Sequence, residues 1–211
     1  MRAIQCAGVL LALAGSGLAW GQSTPRLQEF YFDEDKGALQ SLQVVDGEGD
    51  QLVKRLDQLA SRDGRNSDKA GAQLAHLLMA SGRLQEGKSY YAKLLQRNDE
   101  NSGLYRPIVY RYGWDLYRAG EYDAALSQWQ KLVGSRGIEP AWAPPTLALV
   151  LWKLDRKQEA ASWYAAAVRS EPSQWGSTAR YAELLPEWSE EERADLAQVQ
   201  AAWAKAPPAW P

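Results

Sequence analysis

The chain has 211 residues, of which 45% are hydrophobic and 24% charged, so it carries enough apolar side chains for a folded core and is not a disordered chain. Its formal net charge of −2 provides no basic surface of the kind that binds duplex nucleic acid, so nucleic acid is not an expected partner. The one cysteine, Cys6, lies in the apolar N-terminus, which excludes disulfides and cysteine-ligated metals from the rest of the chain. Among the aromatic residues, ten Trp and ten Tyr stand against two Phe.

Residues 1–21 have the pattern of a secretory signal peptide. Arg2 supplies a positive start, and the uncharged, mostly apolar run 6–19 is shorter than the about 20 residues that cross a bilayer. Small residues precede two candidate cleavage points, one after Ala19 and one after Gly21. The pattern favours a cleaved signal peptide over an uncleaved membrane anchor. It therefore predicts a periplasmic or secreted protein with no stable membrane span after cleavage.

Beyond Pro25, apolar residues recur at spacings of three and four, which is typical of amphipathic helices. Leu52, Leu56 and Leu59 form one such series. Short breaks that contain Gly, Asp, Asn or Pro separate the periodic segments. Helices joined by such tight turns pack as antiparallel pairs, so the sequence predicts an all-α fold.

The helix pairs repeat along the chain. When the segments are aligned on turns at Gly82, Gly120 and Asp155, the offsets are 38 and 35 residues, and the same residue classes return around each turn. A small residue stands seven positions before the turn, a leucine four before it and a large aromatic nine after it. The three sets are Ala75, Leu78 and Tyr91; Gly113, Leu116 and Trp129; and Ala148, Leu151 and Tyr164.

This pattern resembles the tetratricopeptide repeat (TPR). Residues 109–133 are the best copy, residues 141–172, which end at Pro172, are the second, and residues 67–98 are degenerate because Gly87 stands where the pattern has Ala. The resemblance implies a right-handed superhelical solenoid of antiparallel helix pairs over residues 67–188. One pair cannot bury its own apolar face, so neighbouring pairs must stack.

The segments that flank these repeats are less regular. Residues 22–66 are predicted to be helical and are either a divergent repeat, over 33–64 with a turn at Gly47, or an unrelated segment. A further half-unit is predicted to begin at Trp175. Ser189 and Glu192 form a capping-box pattern, which predicts a C-terminal capping helix over 189–205. The Pro-rich residues 206–211 are predicted to form a loose tail.

The sequence has little that indicates catalysis. The single histidine, His76, lacks a nucleophile motif beside it, and the acidic runs 33–35 and 190–192 stand where solvated caps are common. No phosphate-binding loop is present. We therefore expect no catalytic residue, no metal and no cofactor. A helical hydrolase of the cell envelope remains a less favoured alternative.

The resemblance places the first helix of each pair along a concave surface. The side chains expected there are aromatic and basic, the types that dominate protein interfaces. They predict a non-catalytic scaffold or adaptor that binds a protein or peptide of the bacterial cell envelope; the alternatives are a peptidoglycan-binding or other glycan-binding module, and rings that only fill gaps between repeats. The expected partner-binding residues are Tyr110, Arg111, Trp114, Tyr117, Arg118, Trp142, Trp152 and Lys153, with Leu149 exposed beside them.

The signal peptide can be tested directly. If it is cleaved, the mature protein begins at Trp20 or Gln22, because cleavage follows the small residue. Intact-mass measurement and N-terminal sequencing of exported protein check this. Exported protein that still begins at Met1 would contradict the prediction.

Overall fold

A computed structural model describes residues 32–62, 64, 66–135 and 139–209, and the predicted signal peptide lies outside them. The described part is mostly helical, with a short parallel pairing between its two strands. None of its helices is both long and apolar enough to cross a bilayer. In chain order the elements are β1 (Phe32–Asp33), α1 (Gly49–Ala60), α2 (Ser67–Ala80), α3 (Leu84–Arg97), α4 (Tyr105–Arg118), α5 (Tyr122–Gln130), β2 (Glu139–Pro140), α6 (Ala143–Lys153), α7 (Lys157–Ser170), α8 (Pro172–Trp175), α9 (Tyr181–Leu184) and α10 (Glu190–Lys205).

The three predicted inter-helix turns are confirmed, and all three are built in the same way. They join α2 to α3, α4 to α5 and α6 to α7, and the turn residues Gly82, Gly120 and Asp155 have positive φ angles of 83°, 79° and 59°. Glycine adopts this conformation without steric cost, and Asp tolerates it better than most residues. In each turn the next backbone N–H donates to a carbonyl five residues earlier, from Arg83 to Leu78, Glu121 to Leu116 and Arg156 to Leu151.

Helices α4 and α5 approach closely where α4 carries a small residue. Gly113 of α4 lies against the indole of Trp129 in α5, and a Cβ added at residue 113 would overlap that ring. The indole N–H of Trp129 also donates to the Tyr110 carbonyl, at 3.2 Å. Tyr91, Trp129 and Tyr164, the three aromatics at the predicted core position, are fully buried. The alignment of the sequence on its turns thus identifies the core rings.

The N-terminal segment differs from the prediction. Between β1 and α1 the chain forms a turn and irregular backbone, so the described residues of 33–64 are not a helix pair, and α1 is the one helix in the described part of 22–66. The α1 residues Leu52 and Leu56 pack on Leu74 and Leu78 of α2. Gln73 of α2 holds the preceding loop through hydrogen bonds to Val44 and Val45. The segment before α1 is therefore held by tertiary contacts with α2, and not by packing within a helix pair.

The C-terminal region contains the predicted cap but no further helix of full length. The half-unit expected from Trp175 forms only the short helices α8 and α9, separated by a Gly176-containing loop and followed by Pro186. Helix α10 begins with the predicted capping box, in which Ser189 Oγ accepts from the Glu192 N–H and Glu192 accepts from the Ser189 N–H. It packs on α6 and α7. The described tail residues are not helical, but the Pro208 carbonyl accepts a hydrogen bond from Arg169.

Replacement of Trp129 tests the pairing of α4 with α5. Trp129→Ala should lower the free energy of unfolding by about 3–5 kcal/mol, because a fully buried ring is lost and Gly113 cannot fill the space. Urea unfolding followed by circular dichroism measures the change. The control, Gln58→Ala on the exposed side of α1, should change it by less than about 0.5 kcal/mol. An equally small effect for Trp129→Ala would refute the assignment of this ring to the core.

Candidate functional site

Helix α4 brings most of the predicted site residues together. Tyr110, Trp114 and Tyr117 follow one another at spacings of four and three, so they lie on one face of the helix. The corresponding face of α6 carries Trp152 and Lys153. We call this combined surface, formed by Tyr110, Arg111, Trp114, Tyr117 and Arg118 of α4 with Leu149, Trp152 and Lys153 of α6, the α4–α6 face.

The expectation that the predicted side chains are exposed is wrong for several of them. Trp114, Tyr117, Trp142 and Leu149 are buried, and Trp114 is only 5% exposed. The Trp114 ring contacts Trp129 and Trp188, with centroid distances of 5.1 and 4.9 Å. These rings therefore pack between helices and against the C-terminal segment, as the gap-filling alternative proposed.

The C-terminal segment covers much of the α4–α6 face. Glu192 is buried, and its carboxylate accepts from Arg118 Nε at 2.9 Å and Nη2 at 3.2 Å. Arg118 also donates to the Glu187 carbonyl and lies over the Trp114 ring. The predicted capping helix α10 thus covers part of the α4–α6 face, which the sequence predicts to bind a partner.

Trp152 and Lys153 meet the same helix farther along. Lys153 Nζ lies 2.9 Å from the Asp195 carboxylate, and Trp152 Nε1 donates to Gln198 at 3.4 Å. The Lys157 ammonium stands 3.6 Å from the centre of the Trp152 ring. Both predicted site residues are half-buried and already have partners within the chain.

Trp142 has a different role from the predicted one. Its indole N–H donates to the buried carboxylate of Asp35, at 3.1 Å, and Arg106 donates two hydrogen bonds to the same carboxylate. Burial opposes ionisation of Asp35, but the hydrogen bonds from Arg106 and Trp142 and the charge of Arg106 outweigh it, so the pKa of Asp35 lies below its usual value. Trp142 therefore anchors the N-terminal segment instead of facing a partner.

Four of the predicted residues still line an open pocket. The pocket has a volume of about 440 Å³, and we call it the α4 pocket. Its walls come from three parts of the chain that are far apart in sequence: residues 38–43, the α4 side chains Tyr110, Arg111, Trp114 and Arg118, and the loop residues Glu187 and Trp188. Tyr117, Trp142, Trp152 and Lys153 lie outside its lining.

Arg111 is the unpaired cation of this pocket. Within the described part of the chain, no carboxylate or carbonyl oxygen forms an ion pair or hydrogen bond with its guanidinium. Arg118, by contrast, is neutralised by Glu192. Leu39, 51% exposed, stands on the rim. The pocket thus combines leucine and aromatic side chains and the polar residues Gln40, Ser41 and Gln43 with one available guanidinium group, which suits an anionic group on an apolar stem.

Sequence reasoning missed the walls that come from outside the repeats. Leu39 and Trp188 belong to segments without helical periodicity, so no repeat alignment could place them on α4. The surplus of tryptophan over phenylalanine was the available signal, because Trp188 is one of the rings that the repeat pattern leaves unassigned. Tertiary folding of both flanks over α4 creates the site.

The single histidine takes part in a buried polar junction. His76 Nδ1 of α2 lies 2.7 Å from one oxygen of Asp115 in α4, and the Tyr91 hydroxyl of α3 donates to the other oxygen at 2.6 Å. Burial and the Asp115 charge raise the pKa of Tyr91 well above its usual value. Tyr91 is fully buried, and the hydrogen bonds of this group connect α2, α3 and α4. Among the described residues no cluster of His, Cys, Asp and Glu could hold a metal ion.

Comparisons with protein-family models, curated proteins and solved structures find no match for this chain. The geometry of the α4 pocket and the sequence therefore supply the grounds for a function.

The anchor at Asp35 predicts a pH-dependent contribution to stability. Asp35→Asn should lower the free energy of unfolding at pH 7 by about 2–3 kcal/mol, because hydrogen bonds to a buried charge are weakened. The folded-state pKa is the lower one, so the stabilisation is present above the unfolded pKa of about 3.9 and is lost as the pH falls through the folded value.

Urea unfolding of both proteins between pH 7 and pH 2 measures this. The difference between them should be largest near neutral pH and shrink below about pH 4. A difference that stays constant across that range would show that ionisation of Asp35 is not what holds the N-terminal segment.

Proposed function

We propose that this protein is an exported, non-catalytic scaffold of the bacterial cell envelope, periplasmic or secreted, with a TPR-like solenoid that binds a protein or peptide segment in the α4 pocket. The three turns with the same hydrogen bonds, at Gly82, Gly120 and Asp155, support the TPR-like part of the proposal. The signal-peptide pattern of residues 1–21 supports export.

One observation carries the binding function: the α4 pocket is open and places the unpaired Arg111 beside Tyr110 and the Trp114–Trp188 pair. Arg, Tyr and Trp dominate the residues that hold protein partners, since they combine large contact area with directional hydrogen bonds. The contact residues of the proposed site are therefore Tyr110, Arg111, Trp114 and Arg118 with Leu39 and Trp188.

Glycan binding has less support than protein binding. Sugar rings stack on open indole faces, but Trp114 and Trp142 are buried and the Trp152 ring lies under the Lys157 ammonium. The helical hydrolase also has less support at the α4 pocket, because glycoside hydrolysis uses a pair of carboxylates and Glu187 is the one acidic residue among those lining this pocket.

Photo-cross-linking in the producing cells tests the proposal. With p-benzoylphenylalanine in place of Leu39 on the pocket rim, irradiation should give a discrete adduct with an envelope protein, because the probe extends into the space where the partner binds. The same probe in place of Gln58 on α1, exposed and outside the pocket, is the matched control. Immunoblotting and mass spectrometry identify the adducts.

The cross-linked band should be absent or much weaker with the probe at residue 58. No adduct at residue 39, or the same adducts at both positions, would contradict the proposed function. Specific retention of the protein on cell-wall glycan, with no protein adduct at residue 39, would support the glycan-binding alternative instead.

A further inference from the structure

Three cationic side chains follow one another along the α4–α6 face. Lys153 pairs with Asp195, and Arg118 pairs with Glu192, so two of the three are neutralised by acidic side chains of α10. The third, Arg111, is two helical turns before Arg118 in α4, about 10 Å away along the axis. The chain thus shows which chemistry this face accepts: carboxylates presented by an adjacent segment.

The C-terminal segment stops short of Arg111. The loop before α10 passes over Trp114 through Trp188, and the backbone of Glu187 is held by Arg118. The Glu187 side chain lines the same pocket but forms no ion pair with Arg111. The third cationic position therefore faces the α4 pocket with no acidic partner among the described residues.

The surroundings of Arg111 favour a peptide over a small anion. Leu39 and residues 40–43 form one wall, and Tyr110 lines the other together with the largely buried Trp114 and Trp188. A guanidinium group binds a carboxylate through two parallel hydrogen bonds, and the neighbouring walls can hold the apolar side chain beside it.

We propose that the α4 pocket recognises an acidic protein segment, in which an Asp or Glu carboxylate pairs with Arg111 and a neighbouring apolar side chain contacts Leu39 and Trp188. This inference rests on the proposed function and names the class of segment that the scaffold binds. The bound carboxylate takes the third position of the series in which Glu192 and Asp195 hold the first two.

Two short peptides serve as probes: acetyl-Ser-Glu-Leu-Glu-Ser-amide and its counterpart with Gln in place of both Glu residues. Each is titrated into the ¹⁵N-labelled mature chain, and the indole signals of Trp114 and Trp188 and the amides of residues 39–43 are followed by NMR. The Glu peptide should bind at least about 10-fold more tightly than the Gln peptide, because a charge-assisted hydrogen-bond pair is lost. Its affinity should fall as salt is added.

Charge changes within the pocket give opposite expected results. Arg111→Gln should weaken binding of the Glu peptide about 10-fold or more, whereas Glu187→Gln should strengthen it a few-fold by removing a like charge. Arg111→Lys keeps the charge without the planar fork and should fall between wild type and Arg111→Gln. Arg55→Gln, on the exposed side of α1, is the matched control and should change nothing. Circular dichroism checks the fold of each variant.

Equal binding of the Glu and Gln peptides, or an affinity unchanged by Arg111→Gln, would overturn the inference. Cross-linking at residue 39 distinguishes failure of the acidic-segment inference from failure of the proposed scaffold function. An adduct that persists in Arg111→Gln leaves the scaffold function in place and refutes acidic recognition. Loss of the adduct in Arg111→Gln but not in Arg55→Gln supports both.

Discussion

The buried carboxylate of Glu192 joins the C-terminal segment to the face of α4. It caps its own helix by accepting the Ser189 N–H at 2.7 Å, and it pairs with Arg118 across the interface. A carboxylate removed from water is costly unless several donors satisfy it, so its position is closely restricted. The loop that carries Trp188 is thereby held over Trp114, and one wall of the α4 pocket depends on that placement.

A second buried carboxylate holds the wall of the α4 pocket that residues 38–43 form. Asp35 accepts hydrogen bonds from the side chains of Arg106 and Trp142, which fixes the N-terminal segment on α4 and on the residue that precedes α6. Both ends of the described chain are therefore attached to the helix pairs by a buried carboxylate, and at the C-terminal end α10 also packs on α6 and α7. The α4 pocket is the space left between them. Its shape follows from two ionic anchors that lie on different elements.

The α4–α6 face binds the C-terminal segment of its own chain and still has one cation available for a partner. The acidic side chains of α10 neutralise two cations on the α4–α6 face and leave Arg111 available. Charge pairs across an interface contribute specificity more than affinity, and the aromatic and leucine side chains of the pocket add apolar contact area for a partner. Buried rings such as Trp129 pack against the rings that line the pocket, which is one role of tryptophan and tyrosine in this helical protein.

The sequence by itself determined the helix pairs, their turns and the core rings, because these depend on local spacing: positive φ at Gly82 or Gly120, and a small residue opposite Trp129. It also determined the capping box at Ser189. Only the tertiary structure decided which aromatic residues are covered and where the pocket lies. Segments 33–48 and 186–189 have no periodicity that predicts their position, since buried ion pairs and ring contacts across long sequence separations place them on the helices.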